Sequence, residues 1–249
     1  MLHSATAVLS PRHRYSWFLL AFAAGLVNAG GVYVCGRFVS HMTGIVTHIG
    51  LRGLVSWPLM MEYLLVLGAF IAGAMSSGIW LQGRALRKQP PQHATPLWVV
   101  AGILTLVSIT GSMGLFGPLG GQVEQTGDFG FLCVVAFAMG LMNASVASST
   151  EFSVRTTHMT GPATDFGVHL ATAWFCVGEQ RAQALALAAL RGGKLVAFAL
   201  GAAAMGPLVS GMGYLAFIAP ATIVAAVTLH TFSVKELQPQ TFTAKESLT

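Results

Sequence analysis

The sequence predicts an all-α integral membrane protein with six transmembrane helices, arranged as two inverted three-helix repeats with short broken or re-entrant helices after spans 1 and 4. Three observations support this fold class. Of the 249 residues, 54% are apolar and only 8% are charged, whereas soluble domains carry about 25% charged residues. Several apolar stretches reach the length of about 20 residues that a helix needs to cross the hydrocarbon. A polar motif also occurs twice, once in each half.

The predicted spans are separated by polar or glycine-rich connections. They cover residues 16–36, 58–81, 96–116, 129–148, 183–206 and 211–232. The fifth and sixth form one apolar run, which we expect to break at "GPLVSGMG" because Pro and Gly interrupt helices. The resulting segments are a cytoplasmic N-terminal tail (1–15), a first repeat (16–116), an extracytoplasmic linker (117–128), a second repeat (129–232) and a cytoplasmic C-terminal tail (233–249).

The distribution of basic residues predicts the orientation. Lys and Arg accumulate on the cytoplasmic side of membrane proteins. With the N-terminus inside, the basic residues at the inner side are Arg12, Arg14, Arg84, Arg87, Lys88, Arg155, Arg181, Lys235 and Lys245. Only Arg37 and Arg52 fall on the outer side, so both termini are predicted to be cytoplasmic. The formal net charge is +5, without a basic stripe interleaved with aromatic residues, which argues against a nucleic-acid partner.

Three segments of the first half recur in the same order in the second half. "GLVNA" (25–29) returns as "GLMNA" (140–144), and "SHMTG" (40–44) returns as "THMTG" (157–161). The weakest match is between "FIAGA" (70–74) and "FALGA" (198–202). Three ordered matches indicate an internal duplication.

The orientation of the two halves follows from the number of spans in each. Three is odd, so the second half must enter the membrane from the opposite side. Such inverted repeats are the architecture of many secondary transporters, whose substrate site lies at the repeat interface near the midplane. Some channels share it, so the pattern predicts permeation in general.

The order G-L-x-N-A, H-M-T-G-x-x-T-x-x-G and a Gly-rich apolar span, present in both halves, resembles the YoaK-type bacterial membrane proteins, also called the domain-of-unknown-function 1275 or UPF0700 family. The resemblance covers residues 16–232 and implies a multi-pass protein of the bacterial inner membrane. The family more often has Asp where this chain has Asn28, and often Asn where it has Ile45. No biochemical activity or substrate is implied by the resemblance.

Each copy of the motif is typical of the start of a helix. Pro162 is favoured in a first helical turn, and the Asp165 carboxylate would complement the helix dipole there. Thr43 and Thr160 are predicted N-caps, because a Thr hydroxyl can accept from free backbone N–H groups. Non-helical backbone at membrane depth is tolerated only where it is buried in protein or lines a watery cavity.

We therefore predict that each half contributes one wall of a shared substrate-binding site. Its predicted residues are Asn28, His41, Thr43, Gly44, Thr47, Asn143, His158, Thr160, Gly161, Thr164 and Asp165. The two histidines would supply protons or hydrogen bonds near neutral pH. The alternative is that the motif is a structural joint, because Gly, Ser and Thr allow close helix packing in membranes. For the two asparagines, an interhelical hydrogen bond is the alternative to a ligand contact.

Other charged residues near the motifs are interpreted structurally. Arg37 and Arg155 precede the two motif histidines and are predicted interfacial anchors, with an anion clamp as the alternative. Arg191 and Lys194, one turn apart, are predicted to snorkel to the inner interface.

The predicted function is a transporter or channel for a small polar or anionic solute. No catalytic residues, metal ligands or cofactor are predicted, because the His residues lack H-E-x-x-H spacing and no nucleotide-binding fingerprint occurs. The expected partners are the lipid bilayer and the solute, with a homo-oligomer possible. The rival functions are a non-transporting scaffold that binds a lipid or a partner protein, and a membrane enzyme that uses His and Asp at the same site.

Overall fold

The computed structural model describes residues 11–90, 92–120, 126–150 and 154–233, and within these ranges the chain is helical without β-strands. Residues 1–10 of the predicted N-terminal tail, 121–125 of the predicted linker and 234–249 of the predicted C-terminal tail lie outside the described residues. The first described helix begins at Pro11 and the fifth at Thr126, so helix occupies parts of the predicted tail and linker.

The helices are named here in chain order. They are α1 (Pro11–Cys35), α2 (Met42–Gly53), α3 (Trp57–Leu86), α4 (Ala94–Ser112), α5 (Thr126–Ser149), α6 (Thr160–Phe175), α7 (Gly178–Met212) and α8 (Ile218–Val227). A 3₁₀-helix (Gly213–Phe217) joins α7 to α8, and a π-helical turn (Thr228–Ser233) follows α8. The short helices α2 and α6 follow the predicted first and fourth spans.

Five helical stretches of the described chain are long and apolar enough to cross a membrane. They are Arg14–Cys35, Trp57–Leu86, Ala94–Ser112, Asp128–Ser149 and Gly178–Thr231. The protein is therefore a multi-pass α-helical membrane protein, which confirms the predicted class. The first four stretches correspond to the first four predicted spans, whereas the fifth contains both the fifth and the sixth.

The fifth stretch is too long for one crossing. It contains 54 residues, and at 1.5 Å per residue a continuous helix would be about 80 Å long, far more than the hydrocarbon thickness of about 30 Å. Pro207 lies inside α7 without ending it. The helix ends at Gly213, whose φ of +59° is readily adopted only by glycine. The break therefore lies at the last residue of "GPLVSGMG" rather than at its proline.

Two closely packed helix pairs each combine a helix from the first half with one from the second. α1 packs along α7, and α3 packs along α5. At Gly25 of α1, an added Cβ would clash with the carbonyl oxygen of Phe198, and at Gly140 of α5 it would clash with that of Phe70. These glycines are equivalent in the duplicated "GLxNA" segments, so the same residue permits the same backbone approach in both pairs.

The reciprocal glycines of the two pairs make reciprocal contacts. An added Cβ at Gly73 of α3 would clash with the carbonyl oxygen of Phe137, and one at Gly201 of α7 with that of Phe22. Gly73 and Gly201 are the glycines of "FIAGA" and "FALGA", the weakest of the three sequence matches. This match therefore falls at equivalent positions of the two helix crossings.

Two hydrogen bonds join helix ends at one side of the bundle. Ser16, near the start of α1, bonds to Thr231, near the end of the described chain, at 2.6 Å between hydroxyl oxygens. The Ser145 hydroxyl, near the end of α5, donates to the carbonyl oxygen of His93 at 3.0 Å, just before α4. The first and last helices of the described chain therefore have one pair of ends together.

Two further bonds join helix ends at the opposite side of the bundle. The Gly120 amide, beyond α4, donates to the carbonyl oxygen of Tyr33, near the end of α1, at 2.9 Å. The Tyr214 hydroxyl, just after α7, donates to the carbonyl oxygen of Gly117 at 3.2 Å. The C-terminal ends of α1, α4 and α7 thus lie at one side.

The core lies around α1, α4, α5 and α8, and α3 is peripheral. The apolar windows of α1 and α5 are 61% and 72% buried, compared with 22% for α3. Phe131 of α5 and Phe217 before α8 are fully buried and pack edge to face with ring centroids 5.6 Å apart. The exposed Ile71, Met75 and Ile79 form an apolar face of α3, which suits contact with lipid acyl chains.

Candidate functional site: a cavity between the two motifs

The two motif helices begin earlier than predicted. α2 starts at Met42 with His41 at the N-cap position, and α6 starts at Thr160 with Met159 at the N-cap position. Neither start has a side-chain capping hydrogen bond. The prediction that Thr43 and Thr160 are N-caps is therefore wrong, because both residues already lie in the first helical turn. The first-turn amides consequently lack a hydroxyl cap.

The motif histidines lie over the motif glycines. An added Cβ at Gly44 would clash with the ring of His41, and one at Gly161 would lie 2.9 Å from Cε1 of His158. Each ring thus folds back on the first turn of its own helix. The H-x-x-G spacing is explained by this contact, since any larger residue would displace the ring.

Asn28 holds the segment that precedes the first motif. Its Oδ1 atom accepts from the backbone amide and from the hydroxyl of Ser40, both at 3.0 Å. Both bonds use the carbonyl oxygen of the amide as acceptor. An Asp carboxylate could accept the same two bonds.

Asn143 holds the equivalent segment of the second half more extensively. Its Oδ1 accepts from the Thr156 hydroxyl at 2.7 Å and from the Thr157 amide at 3.0 Å. Its Nδ2 donates to the Thr157 hydroxyl. Thus each asparagine joins a long helix to the non-helical residues that lead into a motif, rather than to another helix.

A cavity of about 480 Å³ lies between the two copies of the motif. Its lining includes six of the predicted site residues: Asn28, His41, Thr43, Asn143, His158 and Thr160. Phe70 and Ala74 of α3 and Phe198 of α7, which lie near the middle of their helices, complete much of the apolar wall. We call this space the central cavity.

The threonines of the central cavity have hydroxyls available to a ligand. Within the described chain, the hydroxyls of Thr43 and Thr160 make no hydrogen bond, whereas those of Thr47 and Thr164 donate to the carbonyl oxygens of Thr43 and Thr160 at 2.9 and 3.1 Å. Thr47 and Thr164 are not among the residues that line the central cavity. These hydroxyls lie one helical turn after Thr43 and Thr160 and bond to their own helices.

Two smaller cavities lie behind the motif histidines. The first flanking cavity, of about 200 Å³, includes His41 and Gly44, and the second, of about 250 Å³, includes His158 and Gly161. The motif glycines therefore line the flanking cavities rather than the central one. Asp165 also lines the second flanking cavity, where its Oδ2 lies 3.3 Å from Nε of Arg191.

Lys194 is a site residue that the sequence interpretation missed. Its side chain is only 3% exposed, and its Nζ donates to the carbonyl oxygens of Arg155 and His158, the latter at 3.2 Å. The prediction that Lys194 snorkels to the interface is wrong, because these carbonyls of the segment before α6 satisfy the ammonium inside the protein. Its position within an apolar run was the available signal.

The surroundings of His158 favour its neutral form. Partial burial lowers the pKa of His158 from its ordinary value of 6.5, and the positive charges of Arg155 and Lys194 lower it further, against the opposing effect of Asp165. Within the second motif, His158 can therefore offer both a donor and an acceptor nitrogen at neutral pH.

We expect the His158 imidazole to titrate below pH 6.5, and its pKa to rise in the Arg155→Gln variant, which removes one neighbouring positive charge. Because the folded-state pKa is lower than the unfolded one, the unfolded chain binds more protons near pH 6. This contribution to stability is present above pH 6.5 and is lost as the pH falls below it. NMR titration of ¹⁵N-histidine-labelled protein measures the midpoint; a value at or above 6.5 would contradict the expectation.

Comparison with known proteins supports the sequence resemblance. No curated protein and no solved structure matches the chain. A family model described as "Protein of unknown function (DUF1275)" matches residues 16–230. This region contains both motifs and the long apolar stretches, except the first residues of the first stretch and the last residue of the fifth. The chain therefore belongs to the DUF1275 family.

Proposed function

We propose that the protein is a six-span transporter or channel for a small polar or anionic solute, built from two inverted repeats, with its solute site at the paired H-M-T-G motifs. The observation that carries the proposal is that both motifs, although separated by more than 100 residues of sequence, line one cavity. Its volume of about 480 Å³ falls in the usual range for small-molecule sites, about 300–1,000 Å³.

Six crossings are supported by the position of the helix ends. The Ser16–Thr231 bond lies between the start of α1 and the residues after α8, which supports an even number of crossings. The end of α7 at Gly213 would divide the fifth apolar stretch into two spans. The C-terminal ends of α1, α4 and α7, which lie together, would then be the extracytoplasmic side if both termini are cytoplasmic in a bacterial inner membrane.

An inverted duplication accounts for the reciprocal helix pairs. If α1, α3 and α4 correspond to α5, α7 and α8, the α1–α7 pair corresponds to the α5–α3 pair. This exchange also relates Gly25 to Gly140 and Gly73 to Gly201, whose contacts are equivalent. The two motif helices would then approach the central cavity from opposite sides, which supports a solute site at intermediate depth.

The chemistry of the central cavity suits a hydrogen-bonding solute. The unbonded hydroxyls of Thr43 and Thr160 and the imidazoles of His41 and His158 provide donors and acceptors on both motif walls. The first-turn amides of α2 and α6 add partial positive charge, which favours an anionic or carbonyl oxygen. The apolar wall, which includes Phe70, limits hydration of the bound solute.

The test is flux through the Thr43→Val, Thr160→Val double variant. Each substitution keeps the side-chain shape and removes a hydroxyl that faces the cavity, so we expect flux to fall at least about tenfold with assembly intact, since each lost hydrogen bond costs about 1 kcal/mol. Flux is measured in proteoliposomes against a panel of small polar and anionic solutes. Size-exclusion chromatography and thermal unfolding report assembly.

The matched control is the Thr105→Val, Thr172→Val double variant. Both hydroxyls donate to carbonyl oxygens of their own helices and lie outside the lining of the central cavity, so flux is expected to stay within about twofold. Misassembly of the Thr43/Thr160 variant alone would favour a structural joint. Absence of flux with one stoichiometric co-purifying partner would favour a scaffold, and loss of a chemical product in His158→Ala without flux would favour an enzyme.

A further inference from the structure

We infer that the second flanking cavity binds a small anion, so that the permeating solute is anionic rather than merely polar. The inference rests on the proposed function, because it names the solute class of a space that adjoins the central cavity. Its basis is a cluster of charged side chains in a cavity of about 250 Å³: Arg155, His158, Asp165, Arg191 and Lys194.

The charges around this cavity do not balance. Two residues that line this cavity carry permanent positive charge (Arg155 and Arg191), Lys194 is a third basic residue, and Asp165 is the acidic residue among them. The Asp165 carboxylate pairs with Arg191 at 3.3 Å. Lys194 bonds to two backbone carbonyl oxygens, which are dipoles without net charge. The two guanidinium groups and the one carboxylate leave an excess of at least one positive charge along this cavity. A bound anion would compensate this charge.

The first flanking cavity shows that the fold itself does not require these charges. His48 lies seven residues after the first motif histidine, as Asp165 does after the second. Tyr63 and Val66 precede Gly73 by the same numbers of residues as Arg191 and Lys194 precede Gly201. The first flanking cavity thus has His48, Tyr63 and Val66 at the positions where the second has Asp165, Arg191 and Lys194. In the first half, α2, α3 and α5 therefore pack around the corresponding cavity without a cluster of charged residues like that of the second flanking cavity.

The single permanent cation of the first flanking cavity is covered by aromatic side chains. The guanidinium of Arg37 lies 5.5 Å from the ring centroid of Tyr63, and the rings of His48 and Tyr63 stack with centroids 5.0 Å apart. Cation–π contact thus accompanies the charge there. Among the described residues, no Phe, Tyr or Trp lines the second flanking cavity, so an anion is the counter-charge that fits its basic residues.

The second flanking cavity adjoins the proposed solute path. Arg155 and His158 line both it and the central cavity. An anion that leaves the motif walls would therefore meet the guanidinium of Arg155 next. Since the first flanking cavity lacks this cluster, the anion would be held more firmly on the side of the second motif.

The test is the thermal stability of the purified full-length protein in neutral detergent, titrated with sodium acetate, nitrate, phosphate and sulfate, with sodium chloride balancing the ionic strength. At about 100 times its Kd, a bound anion should raise the unfolding temperature by about 5 °C or more. Arg155→Gln and Arg191→Gln should each reduce this rise by at least half. Asp165→Asn should lower the half-saturating concentration by about threefold or more, since it removes a repelling charge.

The matched control is Arg37→Gln, which removes the cation of the first flanking cavity and should preserve the rise. A rise of equal size in all four variants, or none with any anion, would overturn the inference. Repeating the titration with phosphatidylglycerol micelles separates the source of the anion: a rise confined to the lipid identifies a headgroup, and one with free salt identifies a solute. Flux of neutral solutes without an anion effect would overturn this inference alone, whereas an anion effect without flux would overturn the proposed function alone.

Discussion

Replacement of Gly140 by alanine is expected to disrupt the α3–α5 pair and lower the yield of monodisperse protein. The added Cβ would clash with the backbone carbonyl of Phe70, which cannot move aside as a flexible side chain could. Separating two backbones at a helix crossing costs about 1–3 kcal/mol or more, so the unfolding temperature should fall by about 2–12 °C or more. Size-exclusion chromatography and a thermal-unfolding assay in detergent measure both effects.

Gly130→Ala is the matched control for this prediction, because Gly130 lies in the same helix and an added Cβ there meets no atom within 4 Å. Its stability should be unchanged or slightly higher, since alanine is a better helix former by up to about 1 kcal/mol. Gly25→Ala, at the equivalent crossing of α1 and α7, should reproduce the Gly140→Ala defect. Equal stability of the variants at positions 130 and 140 would refute the close approach of α3 and α5.

Asn143→Leu is expected to be the most destabilising polar substitution near the central cavity. Leucine has a similar size but would leave the Thr156 hydroxyl and both the amide and the hydroxyl of Thr157 without their partner. Each buried polar group left unbonded costs about 1–3 kcal/mol. A total of at least about 3 kcal/mol corresponds to a fall of roughly 6–12 °C in the unfolding temperature.

Asn28→Leu provides the comparison for Asn143→Leu. Asn28 is half-buried and accepts bonds only from Ser40, so the released groups are fewer and more accessible to water. Its loss of stability should be about half as large. If the two leucine variants lose the same stability, the more extensive bonding of Asn143 has no energetic consequence and the prediction fails.

Apolar stretch length was enough to predict the helical membrane class. Composition and span length depend only on the chain and the bilayer, so the long helices α1, α3, α4 and α5 agree closely with the predicted spans. The boundary between α7 and α8 required local backbone information, because both Pro207 and Gly213 were candidate interruptions and only Gly213 adopts a positive φ.

The sequence predicted that the two motif copies are equivalent, but it could not predict the contacts of their side chains. Duplication of the motif indicated that His41 and His158 belong to equivalent segments, but the position of each ring over a glycine depends on the first turn of its own helix. The roles of Lys194 and Asp165 depend on contacts between elements distant in sequence, which periodicity cannot reveal. The hydroxyls of Thr47 and Thr164 were assigned by motif spacing, whereas helical geometry turns them toward their own backbones.

The pairing of α1 with α7 also constrains how the protein is made. The ribosome synthesises α1 first. Gly201 contacts α1 at Phe22, but it is synthesised only after more than half of the residues that follow α1. During that interval the small-residue face of α1 is without its final neighbour, whereas α3 and α5 can meet much sooner. Biogenesis should therefore pass through a membrane-inserted intermediate in which α3 packs against α5 while α1 is not yet packed against α7. A chain released before residue 201 cannot complete the bundle.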